Sequence, residues 1–300
     1  MPARVVDPAE VAARFREEVR ADVATLTART GATPRIVGLL SRPEGPARTY
    51  AQWAARGAAD VGIDFVLRDV EPAAAADALR EANSDPAVHG IFNYYPLADE
   101  HEDPWLRELV DPRKDVEGMH SFWSRMLYEN RRRLDGGRRA ILPCTPLAIL
   151  KLLDDAGLRR SGEGAPLEGV TACVINRSDV VGRPLAAMLA NDGAEVVSLD
   201  ADGTVVFDPA IGRHAHSVRD SDEVRTQALA RADVVVTGVP SRSFPLVTAD
   251  EIKPGAICVN FSQFKNFDDS VLERAAAFIP RVGPMTVTMA MRNLVRLALL

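Results

Sequence analysis

Cysteine is scarce. The chain has three, Cys144, Cys173 and Cys258, among 300 residues. An odd number spread this widely cannot form a paired disulfide framework. Cys173 and Cys258 fall inside apolar, strand-like runs, where a small buried side chain is expected. Long hydrophobic stretches are also missing, as is a basic N-terminal segment followed by an apolar core. Neither a membrane span nor a secretory leader is therefore expected, and the chain reads as cytoplasmic. Nor is there a positive excess: 36 basic against 42 acidic residues leave a net charge of -6. That balance argues against nucleic acid or an anionic membrane as the main partner. The five histidines, His89, His101, His120, His214 and His216, lack matched cysteine or carboxylate partners. His214 and His216 share one face of a strand-like run but read as exposed, so no metal is expected.

What is present is an ordinary globular composition, 47% hydrophobic and 26% charged, over a length that suits two domains. Asp7-Pro8 caps and opens a helix that Gly31 closes, with Val11, Phe15, Val19, Val23 and Leu26 at helical spacing. Strands follow at 35–40, 65–67 and 90–94, separated by helices at 47–61 and 72–82. Such an alternation predicts an α/β layer with parallel strands. Residues 101–135 read as charged and irregular, with one short helix near 105–110. Thr145 and Pro146 start a helix to Gly157, and residues 157–168 form a turn or linker. A second alternation begins at Gly169: strand 170–175, helix 182–191, strand 195–199. A hairpin-like excursion over 203–219 and a helix from a Ser221 cap to Arg231 come next. Strands at 234–236 and 257–260, a helix over 269–278 and a last helix over 286–299 complete the pattern. The fold class is thus α/β with two domains, the second a doubly wound, Rossmann-type unit over 149–284. Residues 1–148 and the C-terminal helix 285–300 form the first.

The chemistry concentrates where strands end. After strand 170–175 the chain breaks at Asn176-Arg-Ser-Asp-Val-Val-Gly182-Arg-Pro184 and re-forms as a helix. Backbone amides at such a helix start suit a diphosphate. Asn176, Arg177, Ser178, Val181, Gly182, Arg183 and Pro184 are the candidates there. The G-x-G-x-x-G spacing is absent, because 176, 178 and 181 are Asn, Ser and Val. Asp200 ends the next strand, about 20 residues on, where a carboxylate binds the ribose hydroxyls of NAD and repels the 2′-phosphate of NADP. Arg177 and Arg183 pull the other way, since either can neutralise that phosphate. Strand 234–236 leads into Thr237, Gly238 and Val239, a small turn over which a dinucleotide can lie, although Gly238 also serves any tight turn. Asn260 closes the following strand and is a further candidate.

Five motifs occur in order: Lys114-Asp-Val-Glu-Gly118, Pro143-Cys-Thr-Pro146, Ile175 to Pro184, Ile252-Lys-Pro-Gly255 and Val282-Gly-Pro-Met-Thr286. Together they resemble the methylenetetrahydrofolate dehydrogenase/cyclohydrolase family over nearly the whole chain. The resemblance implies a folate-binding domain, a Rossmann-type cofactor domain, a cleft between them and a homodimer. It also implies a reduced one-carbon folate as substrate. Tyr50, Tyr94 and Glu117 become the catalytic candidates, with Pro96, Asp115, Gly283, Pro284 and Thr286 on the folate side. Tyr50 would stack on the folate rings, and the Glu117 carboxylate would match a pterin amino group and ring N–H. Each has a plainer alternative: Tyr50 as core or rim, and Glu117 as a partner of Lys114 or an arginine.

Several positions depart from the family pattern. Bifunctional members carry a lysine four residues after the tyrosine, and here that position is Ala54. Tyr94 stands where the family has glutamine, Glu117 where it has a second aspartate, and Asn176 where glycine is usual. With Asp200, this set resembles the monofunctional, NAD-dependent branch. NAD-dependent oxidation of 5,10-methylenetetrahydrofolate by hydride transfer, without hydrolysis of the methenyl product, is the expected activity. The rivals are a bifunctional NADP-dependent enzyme and a non-catalytic NAD-binding module.

Overall fold

Helix α1 (Pro8–Thr30) starts where Asp7 accepts a hydrogen bond from the Ala9 amide at 2.9 Å, and stops at Gly31, whose φ is +73°. In the computed structural model the described residues are 2–41, 44, 46–99, 101–158, 165–210, 212 and 214–299. Part of the expected 157–168 linker therefore lies outside them. Long-range contacts divide the chain into two compact units. One comprises Met1–Val11, Met126–Arg131 and Thr145–Met285; the other comprises Ala12–Arg125, Arg132–Cys144 and Thr286–Leu300.

The unit that starts at Ala12 is built on three parallel strands, β2 (Arg35–Leu40), β3 (Asp64–Asp69) and β4 (Gly90–Tyr94), in the order β3-β2-β4. Their apolar runs are continuous because both faces are covered. On one face, Val37, Leu39 and Ile91 pack against Leu79 and Ala82 of α3 (Ala75–Ser84) and Leu106 of α4 (Asp103–Leu109). Helix α2 (Pro46–Asp60) buries Ala51, Ala54 and Ala58. The final helix, α9 (Gly283–Leu297), crosses β4 so closely that a Cβ on Gly90 would lie 2.9 Å from the Leu294 side chain.

The other unit carries an eight-stranded sheet. Its order, counting β1 (Arg4–Val5), is β1-β11-β10-β9-β5-β6-β7-β8. The parallel strands are β5 (Thr171–Ile175), β6 (Glu195–Asp200), β9 (Val234–Thr237), β10 (Ile257–Asn260) and β11 (Ala277–Ile279). The excursion is an antiparallel hairpin, β7 (Gly203–Asp208) and β8 (Ser217–Ser221), joined to β6 so that Asp200 pairs with Gly203. Cys173, Val197, Val235 and Cys258 share a core with Leu229 of α8 (Arg225–Arg231). Burial pushes both thiols up to about 12, so neither is a ready nucleophile. Helix α7 (Gly182–Asn191) packs against β5 and β6 and buries every residue but Arg183.

Four expectations need correction. Residues 101–135 contain a second helix, α5 (Ser121–Tyr128), whose fully buried Trp123 donates its indole N–H to the Pro112 carbonyl at 2.8 Å. Ser221 is not a helix cap: it ends β8, and α8 begins after Val224, whose amide donates to Gln227 Oε1 at 3.1 Å. Residues 269–278 are not one helix but a 3-10 turn, Asp269–Glu273, followed by β11, because parallel pairing with β10 outcompetes local helical pattern. Finally β1, too short to show a pattern, pairs with β11 and draws Met1–Val11 into the larger sheet's unit.

Trp123→Ala removes a fully buried aromatic and its hydrogen bond, and is expected to lower stability by about 3–5 kcal/mol, read from urea unfolding.

Candidate functional site

The chain reverses direction of travel across the larger sheet between β5 and β9, so their carboxyl ends form a topological switch point. Asn176 leaves β5 with φ at +91°, the left-handed region that glycine usually fills. Its side chain supports this: Nδ2 donates to the Gly238 carbonyl at 2.7 Å and Oδ1 accepts from the Ser178 amide at 2.9 Å. The asparagine thus keeps the glycine conformation and ties the two strand ends together. The following turn is tight. A Cβ on Gly182 would sit 1.7 Å from the Asn176 carbonyl oxygen, and one on Gly238 would sit 1.9 Å from the Phe261 ring. Val181 precedes α7, and the Val181 and Gly182 amides both face Ser178 Oγ at 3.4 Å. Pro184 sits in the first turn, where its missing N–H removes no helical bond.

A cavity of about 680 Å³ opens beside these strand ends, its walls including Asn176, Asp200, Thr204, Val224, Val239 and Phe244. Asp200, Asp222, Glu223 and Arg225 are the charged residues that line it among the described residues. Glu223 is paired with Arg231 at 2.7 Å and Arg225 with Glu251 at 2.9 Å, so the two aspartates carry the remaining charge of the wall. Asp200 accepts the Arg177 amide at 2.5 Å and the Ala201 amide at 2.6 Å. The Arg177 guanidinium turns toward the hairpin, where it meets Asp202 and the Ser198 carbonyl. Arg183 is exposed and paired with Asp179 at 3.0 Å. Thr237 Oγ1 is buried with no hydrogen-bond partner among the described residues. Val239 is held by Asn266, and Asn260 braces its own loop through Ser262 and Phe264. An acidic wall, an orphaned hydroxyl and a helix start together fit a dinucleotide without a 2′-phosphate.

In the other unit Tyr50, Tyr94 and Glu117 do converge. The Tyr50 and Tyr94 rings meet edge to face, with centroids 6.1 Å apart. Burial chiefly raises both phenol pKa values, with Glu117 adding to each, and the Tyr94 hydroxyl has no partner among the described residues. Glu117 is 9% exposed and accepts the Asn93 amide at 2.8 Å. Burial holds its carboxyl well above the usual range, which the Asn93 bond only partly offsets. Lys114 does not neutralise it. That ammonium instead caps the end of α3, donating to the carbonyls of Ala82, Asn83 and Asp85. Asp115 likewise serves the loop: its carboxylate accepts the amides of Glu117, Gly118 and His120 at 3.1, 2.9 and 2.8 Å. Pro96 follows a cis peptide bond, and its carbonyl accepts from Ser41 at 2.8 Å. Gly283 and Pro284 open α9 within the larger sheet's unit, and the buried Thr286 begins the stretch of α9 that belongs with Tyr50 and Glu117. Ala54 is 1% exposed, one turn after Tyr50.

Sequence reasoning missed Asn293. Fully buried on α9, it donates Nδ2 to the Val116 and Leu142 carbonyls, both at 2.9 Å, and so binds the Glu117 loop to the segment before Cys144. A lone asparagine in an apolar helical stripe was the available signal. Among the described residues no group of three or more metal-ligating side chains occurs, and no helix is long and apolar enough to cross a membrane.

Comparison with known proteins agrees with this geometry. Residues 6–117 match the family model "Tetrahydrofolate dehydrogenase/cyclohydrolase, catalytic domain", and residues 143–300 match the corresponding "NAD(P)-binding domain". "Methylenetetrahydrofolate dehydrogenase [NAD(+)]" of Schizosaccharomyces pombe is 38% identical, over 98% of this chain and 92% of that protein. The protein of the same name from Dictyostelium discoideum is 37% identical, over 97% and 93%. The solved NAD-dependent 5,10-methylenetetrahydrofolate dehydrogenase of Saccharomyces cerevisiae superposes with a TM-score of 0.93 at 36% identity, covering 99% of this chain and 97% of that one.

Two substitutions separate the roles of these clusters. Gly182→Ala is expected to abolish ADP-ribose binding by calorimetry, because its Cβ cannot coexist with the Asn176 carbonyl. Asn293→Leu leaves one buried and one half-buried carbonyl without their donor, offset by the loss of the orphaned Asn293 Oδ1, and is expected to cost about 1–3 kcal/mol in urea unfolding.

Proposed function

The chain belongs to the tetrahydrofolate dehydrogenase/cyclohydrolase family, and we propose that it is a monofunctional, NAD-dependent 5,10-methylenetetrahydrofolate dehydrogenase. The observation that carries this is the full-length similarity to NAD(+)-dependent dehydrogenases, combined with an acidic cavity wall that suits NAD. In this assignment the unit of the eight-stranded sheet holds the cofactor, and the unit built on β2, β3 and β4 holds the folate. Asp200 accepts the ribose hydroxyls, the turn from Asn176 to Pro184 faces the diphosphate, and Thr237, Gly238, Val239 and Asn260 edge the strand ends. When bound, NAD supplies the hydride-accepting carbon.

The protein's part is orientation. The methylene carbon lies between two nitrogens that delocalise the resulting cation, so no strong base is needed to release the hydride. Tyr50 and Tyr94 supply flat, dry surface for the folate rings, and the free Tyr94 hydroxyl offers them one donor. Glu117, whose proton affinity burial raises, is the carboxylate that accepts the pterin amino and ring N–H groups. Asp115 and Asn293 hold the Glu117 loop in place, and Pro96 and Thr286 of the same unit are assigned to the folate side. Hydrolysis of the methenyl product needs a water and a charged group to activate it. Ala54 supplies neither, and its burial leaves a dry wall there. The location is cytoplasmic, and the state a homodimer, for which the exposed edge strand β8 with Val218 is the available surface.

Mixing the protein with methylenetetrahydrofolate and NAD is expected to produce NADH and a methenyl absorbance that then persists. Enzyme-dependent decay of that absorbance would establish a bifunctional enzyme, and binding of NAD without reduction a non-catalytic module. Because Glu117 must lose a proton to accept the pterin, the folate KM is expected to fall as pH rises through its raised pKa. In Glu117→Gln that pH dependence disappears.

A further inference from the structure

The two residues between β6 and β7, Ala201 and Asp202, form the tip of a hairpin whose base is the Asp200–Gly203 pair. Asp202 points into solvent, with a side chain 77% exposed, whereas the Arg177 side chain is only 9% exposed. Arg177 lies folded under the hairpin. Its guanidinium donates to the Ser198 carbonyl at 3.0 Å, to the Gly203 carbonyl at 3.3 Å and to the Asp202 carboxylate. Its backbone amide meanwhile donates to Asp200 at 2.5 Å. One hairpin thus takes this arginine at both ends. The consequence bears on the cavity beside it, which Asp200, Ala201 and Gly203 help to line. Arg177 is tied to the ribose carboxylate by its own backbone amide, and an unpaired guanidinium there would suit a 2′-phosphate. Paired with Asp202, its charge is balanced, and three of its five N–H donors point to the hairpin.

We propose that Asp202 is a positioning residue for cofactor choice: it acts through Arg177, withdrawing that guanidinium from the ribose wall and so excluding the 2′-phosphorylated dinucleotide. The proposal rests on the assignment of this cavity to the adenosine half of NAD. It adds a second selection element to Asp200, which repels the phosphate directly, whereas Asp202 removes the group that would attract it.

The test is binding rather than turnover, and needs no folate. Calorimetry gives the affinity of the full-length protein for ADP-ribose and for 2′-phospho-ADP-ribose, and the quantity read is their ratio. The wild type is expected to prefer ADP-ribose. Asp202→Asn is expected to shift the ratio toward the phosphorylated form by about tenfold, the worth of one hydrogen bond to a charged group. Adding Arg177→Ala to that variant should return the ratio to its starting value, and Asp202→Glu should never leave it. A merely structural role for Asp202 weakens both ligands equally and leaves the ratio unchanged, which overturns the proposal. So does a shift that survives loss of Arg177. If the wild type binds neither ligand, the dinucleotide assignment itself fails, and that result is seen before any variant is made.

Discussion

One hydrogen bond, from the Asn176 side chain to the Gly238 carbonyl, sets the geometry on which the cofactor unit depends. It spans the point where neighbouring strands of the sheet lead to opposite sides, and a dinucleotide needs those two strand ends held at a fixed spacing. Glycine in this position supplies a permitted backbone but no tether. Asparagine supplies both, since it tolerates the left-handed region better than other side chains and its amide reaches the next strand. The close packing at Gly182 lies against the Asn176 carbonyl itself, and that at Gly238 against the Phe261 ring, so both strand ends leave no room for added atoms.

The second unit solves a different problem, that of keeping acidic groups buried. Asp115 and Glu117 both sit in the core, and burial raises both carboxyl pKa values. Backbone amides compensate them in part, and for Glu117 the Arg107 guanidinium adds a smaller attraction without an ion pair. A salt bridge would lock Glu117 to a side chain, whereas a single amide leaves one carboxylate oxygen available to a ligand. Lys114, the nearest cation in sequence, is held away by three carbonyls at the end of α3. Local structure thereby preserves a group whose usefulness lies in being unpaired.

How much of this was legible depended on how locally each element is determined. The parallel strands and long helices carry their own periodicity, and α1, β2, β4, β5 and α7 were readable nearly to their ends. Residues around Trp123 were not, because the α5 core is formed by tertiary contacts under a charged surface. The stretch ending in β11 reads as helix, yet its last residues extend because β10 and β1 flank it. In the site, Tyr50, Tyr94 and Glu117 were identifiable from the family resemblance and Asp200 from its place at a strand end, and the structure brings the first three together. Asn293, Asp202 and the true employment of Lys114 were hidden, since each depends on a partner far away in sequence or on a side chain's direction.

The hairpin that carries Asp202 has a two-residue loop, with Asp200 and Gly203 in direct register. Ala201 and Asp202 are the two turn residues, so the length of the turn decides which side chain is presented to Arg177. A single insertion or deletion in the loop would alter which acidic group faces Arg177 without changing any residue type. In relatives that choose another cofactor, loop length is therefore as informative a character as residue identity. Divergence of cofactor use in such a lineage can proceed through a frame change in one surface turn, leaving the core strands untouched.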